Sequence, residues 1–289
     1  MLFSCGLGTS PKEVQTEIYV RLPVDCINMA LSREVQRTIQ DIRKRGLKSV
    51  ARKVYIYGKY GTPMSNLCEL FDGKIHSIKY RNVSPPIDYI SIQEISPDRI
   101  QQISPFDYYW GDVGEIRRWN DGNYQSFTDT EIYQCFKNHF EQGIVWENTK
   151  YVSQAIEDID NGIVREGCRT KSELLERYDR LDQLYDRVDK NGYKRSVEVS
   201  ERDDPMANSR RKNYLNKQYD EVKVDIAANG EYLFRDGYHR LCIAKLLDVD
   251  YIPVVILLRH MEWIARREKK YKNETDSEKI NQSHPDIPI

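Results

Sequence analysis

The sequence predicts an α+β fold, and three observations carry that expectation. Between Glu221 and Leu258, two alternating strands, a glycine turn, a helix and an apolar strand follow one another. Residues 128–192 hold three amphipathic helical stretches. Strand-like alternation also stands ahead of them, from Ile87 to Ile92, so the chain carries both strands and helices.

Composition bounds the rest. A chain of 289 residues can bury a large core, as one big domain or two modest ones. With 39% hydrophobic and 31% charged residues it reads as a folded chain with a wet surface. Lys plus Arg number 44 against 45 acids, so no whole-molecule field marks a nucleic-acid binder, and any such role needs a local patch. No apolar run reaches the ~18 residues of a transmembrane helix. The start, Met1 to Gly8, lacks the charged and apolar regions of a secretory signal. Six scattered cysteines include no closely spaced pair, which suits the reduced thiols of a cytoplasmic protein.

Taken in order, the first expected element is a helix capped by Ser32, with Val35, Ile39, Ile42, Leu47 and Val50 on one side and a basic face from Arg33 to Lys48. That face suits first the solvated side of an ordinary docking helix, and second a contact with an anionic membrane or nucleic acid. Residues 58–86 read as an irregular connector with short strands, which completes an N-terminal region of 1–86. Ile87–Ile92 alternates as a strand, and Ser96-Pro97-Asp98-Arg99-Ile100 turns it into a helical stub. Thr128 or Asp129 caps a helix ending at Gly143; a second runs from about Thr149 to Asp160. In the strongest helix, Thr170 and Glu173 form a capping box, Leu174, Tyr178, Leu181, Leu184, Tyr185 and Val188 make the apolar stripe, and Asn191-Gly192 stops it. Residues 202–211 read as a mobile polar loop. Glu221–Ala227 and Glu231–Arg235 are strands joined at Ala228-Asn229-Gly230; Tyr238–Leu247 is helical; Ile252–Leu258 is a buried strand. The last region, 261–289, is a charged helix to about Lys272 and a disordered tail.

Chemistry concentrates at Asp236-Gly237-Tyr238-His239-Arg240. A strand, a glycine turn and a helix start bring free backbone N–H groups and the positive end of a helix to one point, which stabilises an anion. Arg240 offers a bidentate fork to phosphate, and His239 can donate a hydrogen bond or move a proton near neutral pH. Asp236 beside an anion binds a metal, accepts a proton, or only caps the helix. In the middle region, Trp146 and Glu147 stand either in a packed insertion or on a pocket rim; on a rim, Glu147 becomes a general base if burial raises its pKa.

The run Leu233–Leu247, followed by Ile252-Pro253-Val254, resembles the ParB/sulfiredoxin superfamily, in which a strand ends in a glycine turn, His-Arg opens a helix that continues toward Ala-Lys-Leu, and a Pro-containing strand follows. Ile90–Ile100 is similar to the family's opening strand and stub, and Leu174 to Ser196 to its helix, glycine turn and polar strand. The resemblance implies a mixed sheet with helices over 87–260, with a helical insertion at about 101–169. It also implies a bound nucleotide, ATP or ADP first and CTP second, with Mg²⁺, held by Gly237, Tyr238, His239 and Arg240 and faced by Lys194, Arg195 and Ser196. Sulfiredoxins carry Cys where Tyr238 stands, and partition proteins carry a further DNA-binding domain for which too few residues follow His260. The kinase-like members keep Asp-Gly-x-His-Arg, as here. The implied activity is therefore phosphoryl transfer to a hydroxyl substrate, with Asp236 at the metal or the acceptor. The alternatives are a DNA-binding protein or nuclease that uses the basic helix and the 202–211 loop, and a scaffold without chemistry.

Overall fold

In the computed structural model, the residues described are 65–120, 122–200, 205, 219–272 and 284–287. All of them lie in the compact unit Arg52–Ile289. The basic helix from Arg33 to Lys48 lies outside the described residues, and so does the 202–211 loop apart from position 205.

Fifteen of these elements follow in order. Helix α1 spans Ser65–Lys79, strand β1 Ser91–Ile95, a 3-10 turn Pro97–Arg99, and β2 Ile100–Ile103. A second 3-10 turn, Trp110–Asp112, precedes β3 (Glu115–Arg117) and α2 (Glu131–Gln142). The turn Trp146–Asn148 leads to α3 (Lys150–Asp160) and α4 (Lys171–Asn191). The remainder is β4 (Val222–Ile226), β5 (Tyr232–Asp236), α5 (Tyr238–Leu246), β6 (Ile252–His260) and α6 (Met261–Tyr271).

The strands form one mixed sheet in the order β1-β6-β4-β5-β2, with β3 beside the far end of β6. Strand β6 is parallel to β4 and β3 and antiparallel to β1; β5 is antiparallel to β4 and parallel to β2. Successive side chains along a strand point to opposite faces. Val254 and Ile256 thus join the large core with Phe127, Phe136 and Leu241, while Val255 and Leu257 pack with Trp110 and Val113 on the other face. Burial on both faces explains why this strand is apolar throughout.

Strand β4 alternates, yet none of its residues faces water. Val222, Val224 and Ile226 enter the core, and Lys223 and Asp225 lie on the second face, 3% and 0% exposed. Asp225 accepts from Ser104, Arg235 and the Leu258 amide, and Arg235 also pairs with Asp112. Burial pushes the Asp225 carboxyl upward, with Arg235 as the main opposing influence. The alternation therefore marks a core face and a buried ionic face.

Helix α4 buries Leu174, Tyr178, Leu181, Leu184 and Val188, each worth about 2 kcal/mol of transferred apolar area as an upper bound. Half of its expected capping box forms: the Glu173 amide donates to Thr170 Oγ1 at 3.1 Å, while Glu173 Oε2 accepts at 2.8 Å from the amide of Arg169, one residue before the cap. Helix α2 is capped by Thr130, slightly beyond the expected Thr128 or Asp129, and is stopped by Gly143 with φ 68°.

Several expectations need correction. The 58–86 connector contains the helix α1. Strand β1 lies later than Ile87–Ile92, because Gln93 turns inward to Tyr232 and Asp286. The 101–169 insertion is helical only from Glu131, since β2 and β3 belong to the sheet. After Gly192 the chain forms turns rather than a polar strand. Within the expected disordered tail, residues 284–287 are packed: His284 stacks on Tyr232, and Asp286 binds Arg259, Trp263 and Gln93.

Candidate functional site at the start of helix α5

Strand β5 ends at Asp236 and α5 begins at once, so Gly237 must reverse the chain alone. It does so in the left-handed region, φ 101° and ψ 34°, and no side chain caps the helix. A Cβ there would lie 3.1 Å from the Val222 Cα, so both the conformation and the close approach require glycine. Among the described residues no protein acceptor pairs with the Tyr238 and Arg240 amides.

The side chains that follow diverge. Tyr238 is half-buried, stacked on Phe127 at 5.7 Å and edge-on to Phe234 at 4.3 Å, so it anchors the corner and offers only its amide. His239 stacks on Phe136 at 5.7 Å and places Nε2 3.6 Å from Glu166 Oε2. Arg240 donates to Asp220 Oδ2 at 3.0 Å, and its second nitrogen lies 3.7 Å from Glu221 Oε2. Burial opposes the Arg240 charge, but Asp220, the strongest favourable influence, and then Tyr193 and Glu221 raise its pKa above the usual range. The sequence suggests a guanidinium free for phosphate; the structure has one already held by two carboxylates.

Those carboxylates also fix the facing wall. Glu221 Oε1 accepts from the Ser196 amide at 2.6 Å, and Ser196 Oγ donates to the Asp220 carbonyl at 2.6 Å. Lys194, Ser196 and Arg240 thereby line one recess, with Tyr193 and Arg187 beside them and Val188 and Ile243 as its apolar floor. Arg195 turns its amide to Glu198, and its buried Nε has no hydrogen-bond partner among the described residues; neither do the Tyr193 hydroxyl and Glu221 Oε2. Burial raises the Glu221 carboxyl, with Arg240 pulling the other way.

Asp236 remains half-exposed, 42%, with Lys223 Nζ at 3.5 Å. Among the described residues, no three His, Cys, Asp or Glu side chains gather to hold a metal. A single carboxylate is nonetheless compatible with Mg²⁺ that arrives on nucleotide phosphates and keeps its waters.

Glu147 does not join this group. It is exposed and paired with Lys171 at 2.7 Å, so the burial that would make it a base is missing. Trp146 is packed, 5% exposed, against Phe136, His139 and Tyr178. The residues sequence reasoning missed are Glu166, Asp220, Glu221 and Lys223. Their one local signal is position: Asp220-Glu221 opens β4, and Glu166-Gly167 forms the bend between α3 and α4.

Among the described residues no helix is long and apolar enough to cross a membrane. Comparison of the chain with protein-family models, with curated proteins and with solved structures finds no match.

Proposed function

We propose that the mixed sheet and its Gly237 corner form a ParB/sulfiredoxin-like nucleotide-binding module, and that the protein transfers a phosphoryl group from ATP or ADP to a hydroxyl substrate. One observation carries the reading. An uncapped helix start with unpaired amides stands beside a recess in which Lys194, Ser196 and Arg240 converge. In this reading the amides of Tyr238 and Arg240, with His239 and Lys194, hold the phosphates. The acceptor oxygen bonds to the terminal phosphorus, the bond to the bridging oxygen breaks, and the shortened nucleotide leaves. Asp236, the exposed carboxylate at the corner, orients the acceptor and takes its proton, or supplies one oxygen to Mg²⁺, which would offset phosphate charge.

Isothermal titration with ATP, ADP, CTP and GTP, each with Mg²⁺, tests the binding half. Binding of at least one is expected, weakened about tenfold or more by Lys194→Ala and by Arg240→Lys, as loss of a charge-assisted contact predicts. No binding by the unaltered protein removes the reading. A screen in which nucleotide binds but no hydroxyl acceptor consumes it removes the kinase half alone.

The engagement of Arg240 by Asp220 and Glu221 favours a second reading, a scaffold that keeps the fold without the chemistry. Its mark is a melting temperature unmoved by any nucleotide.

A further inference from the structure

The bend between α3 and α4 carries a residue that its backbone does not favour. Arg165 and Cys168 exchange two main-chain hydrogen bonds, 3.1 and 2.7 Å, so Glu166 and Gly167 are the corners of a two-residue hairpin. Both are left-handed, φ 47° and 82°. Turns of this kind select Asn, Asp or Gly at the first corner, because a short polar side chain or no side chain relieves the strain. Glu has neither advantage. Its side chain is instead directed inward, 13% exposed: Oε1 accepts from Tyr178 at 2.9 Å, Oε2 accepts from Arg177 Nε at 2.9 Å, and Oε2 also faces His239 Nε2. Phe136 stacks on the imidazole and fixes its plane. A non-glycine residue kept in a strained turn is a reason to ask what its side chain does.

We infer that Glu166 is a positioning residue for His239, holding the imidazole in orientation and in its protonated form so that it meets phosphate as a cation. For its use this rests on the proposed nucleotide reading; the coupling of the two side chains does not. Among the described residues, these titratable and charged groups face the pair. Cys135 of α2 and Tyr151 of α3 are pushed up by burial, Cys135 to about 11, and stay neutral. Tyr178 of α4 is likewise neutral, raised chiefly by burial. Arg177 of α4 is the other cation on Glu166. Burial pushes the Glu166 carboxyl up, but His239, then Arg177 and Tyr178, bring it below its ordinary value, so it is charged at neutral pH. A group stabilised in its protonated form contributes below its midpoint and is lost as pH rises through it. Phosphate affinity should therefore fall on the alkaline side of the His239 midpoint.

The test is the His239 imidazole titration followed by NMR without nucleotide, in the unaltered protein and in Glu166→Gln. Removal of the carboxylate should lower the midpoint by about one pH unit, the usual effect of a single opposite charge at this range. The same displacement should appear in the pH profile of ATP affinity, and His239→Gln should flatten that profile. Glu166→Asp, with a shorter reach, should give an intermediate midpoint and serves if Glu166→Gln does not fold. An unchanged midpoint in a folded variant overturns the inference, as does an ATP profile in which Glu166→Gln leaves the alkaline limb in place. If the midpoint moves but the unaltered protein binds no ATP, the coupling stands and the nucleotide reading falls.

Discussion

Asp286→Ala should cost this fold a large share of its stability, although the residue lies in a stretch whose composition reads as disordered tail. Asp286 is 5% exposed, and its carboxylate accepts from Arg259 Nε and Nη2 at 3.0 and 2.6 Å, Trp263 Nε1 at 2.8 Å, and Gln93 Nε2 at 3.0 Å. Its carbonyl accepts from Arg267 and survives the substitution. The Arg259 side chain is 1% exposed, so truncation leaves a buried cation without its counter-ion, a loss of about 3–5 kcal/mol. Each orphaned neutral donor, Trp263 and Gln93, adds about 1 kcal/mol unless water enters. A net loss of about 5–7 kcal/mol is expected, or about 3–5 where water reaches both neutral donors, against a typical total of about 5–15 kcal/mol. Urea unfolding followed by circular dichroism at neutral pH measures it, and Arg259→Met with Asp286→Leu should recover most of the loss. The pH dependence has a definite sign. Burial pushes the Asp286 carboxyl up, but Arg259 chiefly, with Trp263 and Arg267, holds it below the ordinary range. A depressed carboxylate stabilises above its unfolded value of about 3.9 and loses that contribution as pH falls through the lower folded value, so Asp286→Asn should lack this acid limb. A loss under about 1 kcal/mol for Asp286→Ala would refute the reasoning, because Arg259 would then have found solvent or another acid.

Gly237→Ala should cost about 1–2 kcal/mol in the same unfolding assay, from the left-handed φ and the 3.1 Å approach to Val222; unaltered stability would show that the corner can relax. Glu147→Gln should change stability by less than about 0.5 kcal/mol and leave nucleotide titrations unchanged, since it removes one exposed pair with Lys171; any loss of binding would return Glu147 to the site. Asp225→Ala should cost about 3 kcal/mol or more by stranding Arg235, whose side chain is 1% exposed, and a near-neutral result would mean that Asp112 alone suffices. Glu221→Gln should raise affinity for ATP about threefold to tenfold in isothermal titration, and a fall would refute competition between Glu221 and phosphate for Arg240.

How far the sequence could be read depended on the distance between partners. Helix α4 was legible because its cap, stripe and stop all lie within one segment, and the hairpin at Asn229-Gly230 because its turn residues announce themselves. The apolar run of β6 announced burial on both faces. Helix α1 was hidden: Gly and Pro crowd its approach, Gly73 interrupts it, and Ile75 and Ile78 face outward at 62% and 66% exposure. Gln93 and Asp286 are polar residues whose burial is compensated by each other and by Tyr232, Arg259, Trp263 and Arg267, all outside their own segments. At the candidate site the glycine turn was legible for the same local reason and the facing wall was expected only through the resemblance, whereas Asp220, Glu221 and Glu166 were not legible. A carboxylate that neutralises a distant cation looks, in one dimension, like any solvated acid.

Charge balance at the start of α5 decides between the two functional readings. Lys223, Arg240, Lys194 and the helix end supply positive potential, and Asp220, Glu221 and Asp236 oppose it; Glu166 is matched by Arg177 and His239. A nucleotide brings further negative charge, so it gains from Arg240 only when the guanidinium exchanges a carboxylate for a phosphate, or when a cation accompanies the nucleotide. Glu221 is the carboxylate through which that exchange is easiest. One of its oxygens serves Ser196, and the other faces Arg240 at 3.7 Å without a hydrogen bond. Glutamine in its place keeps an acceptor for the Ser196 amide and removes only the competing charge. If the guanidinium serves phosphate, that relief strengthens binding. If Arg240 is a strut between β4 and α5, the substitution weakens the strut and gives the anion nothing, so the sign of the change separates a binding site from a structural ion pair.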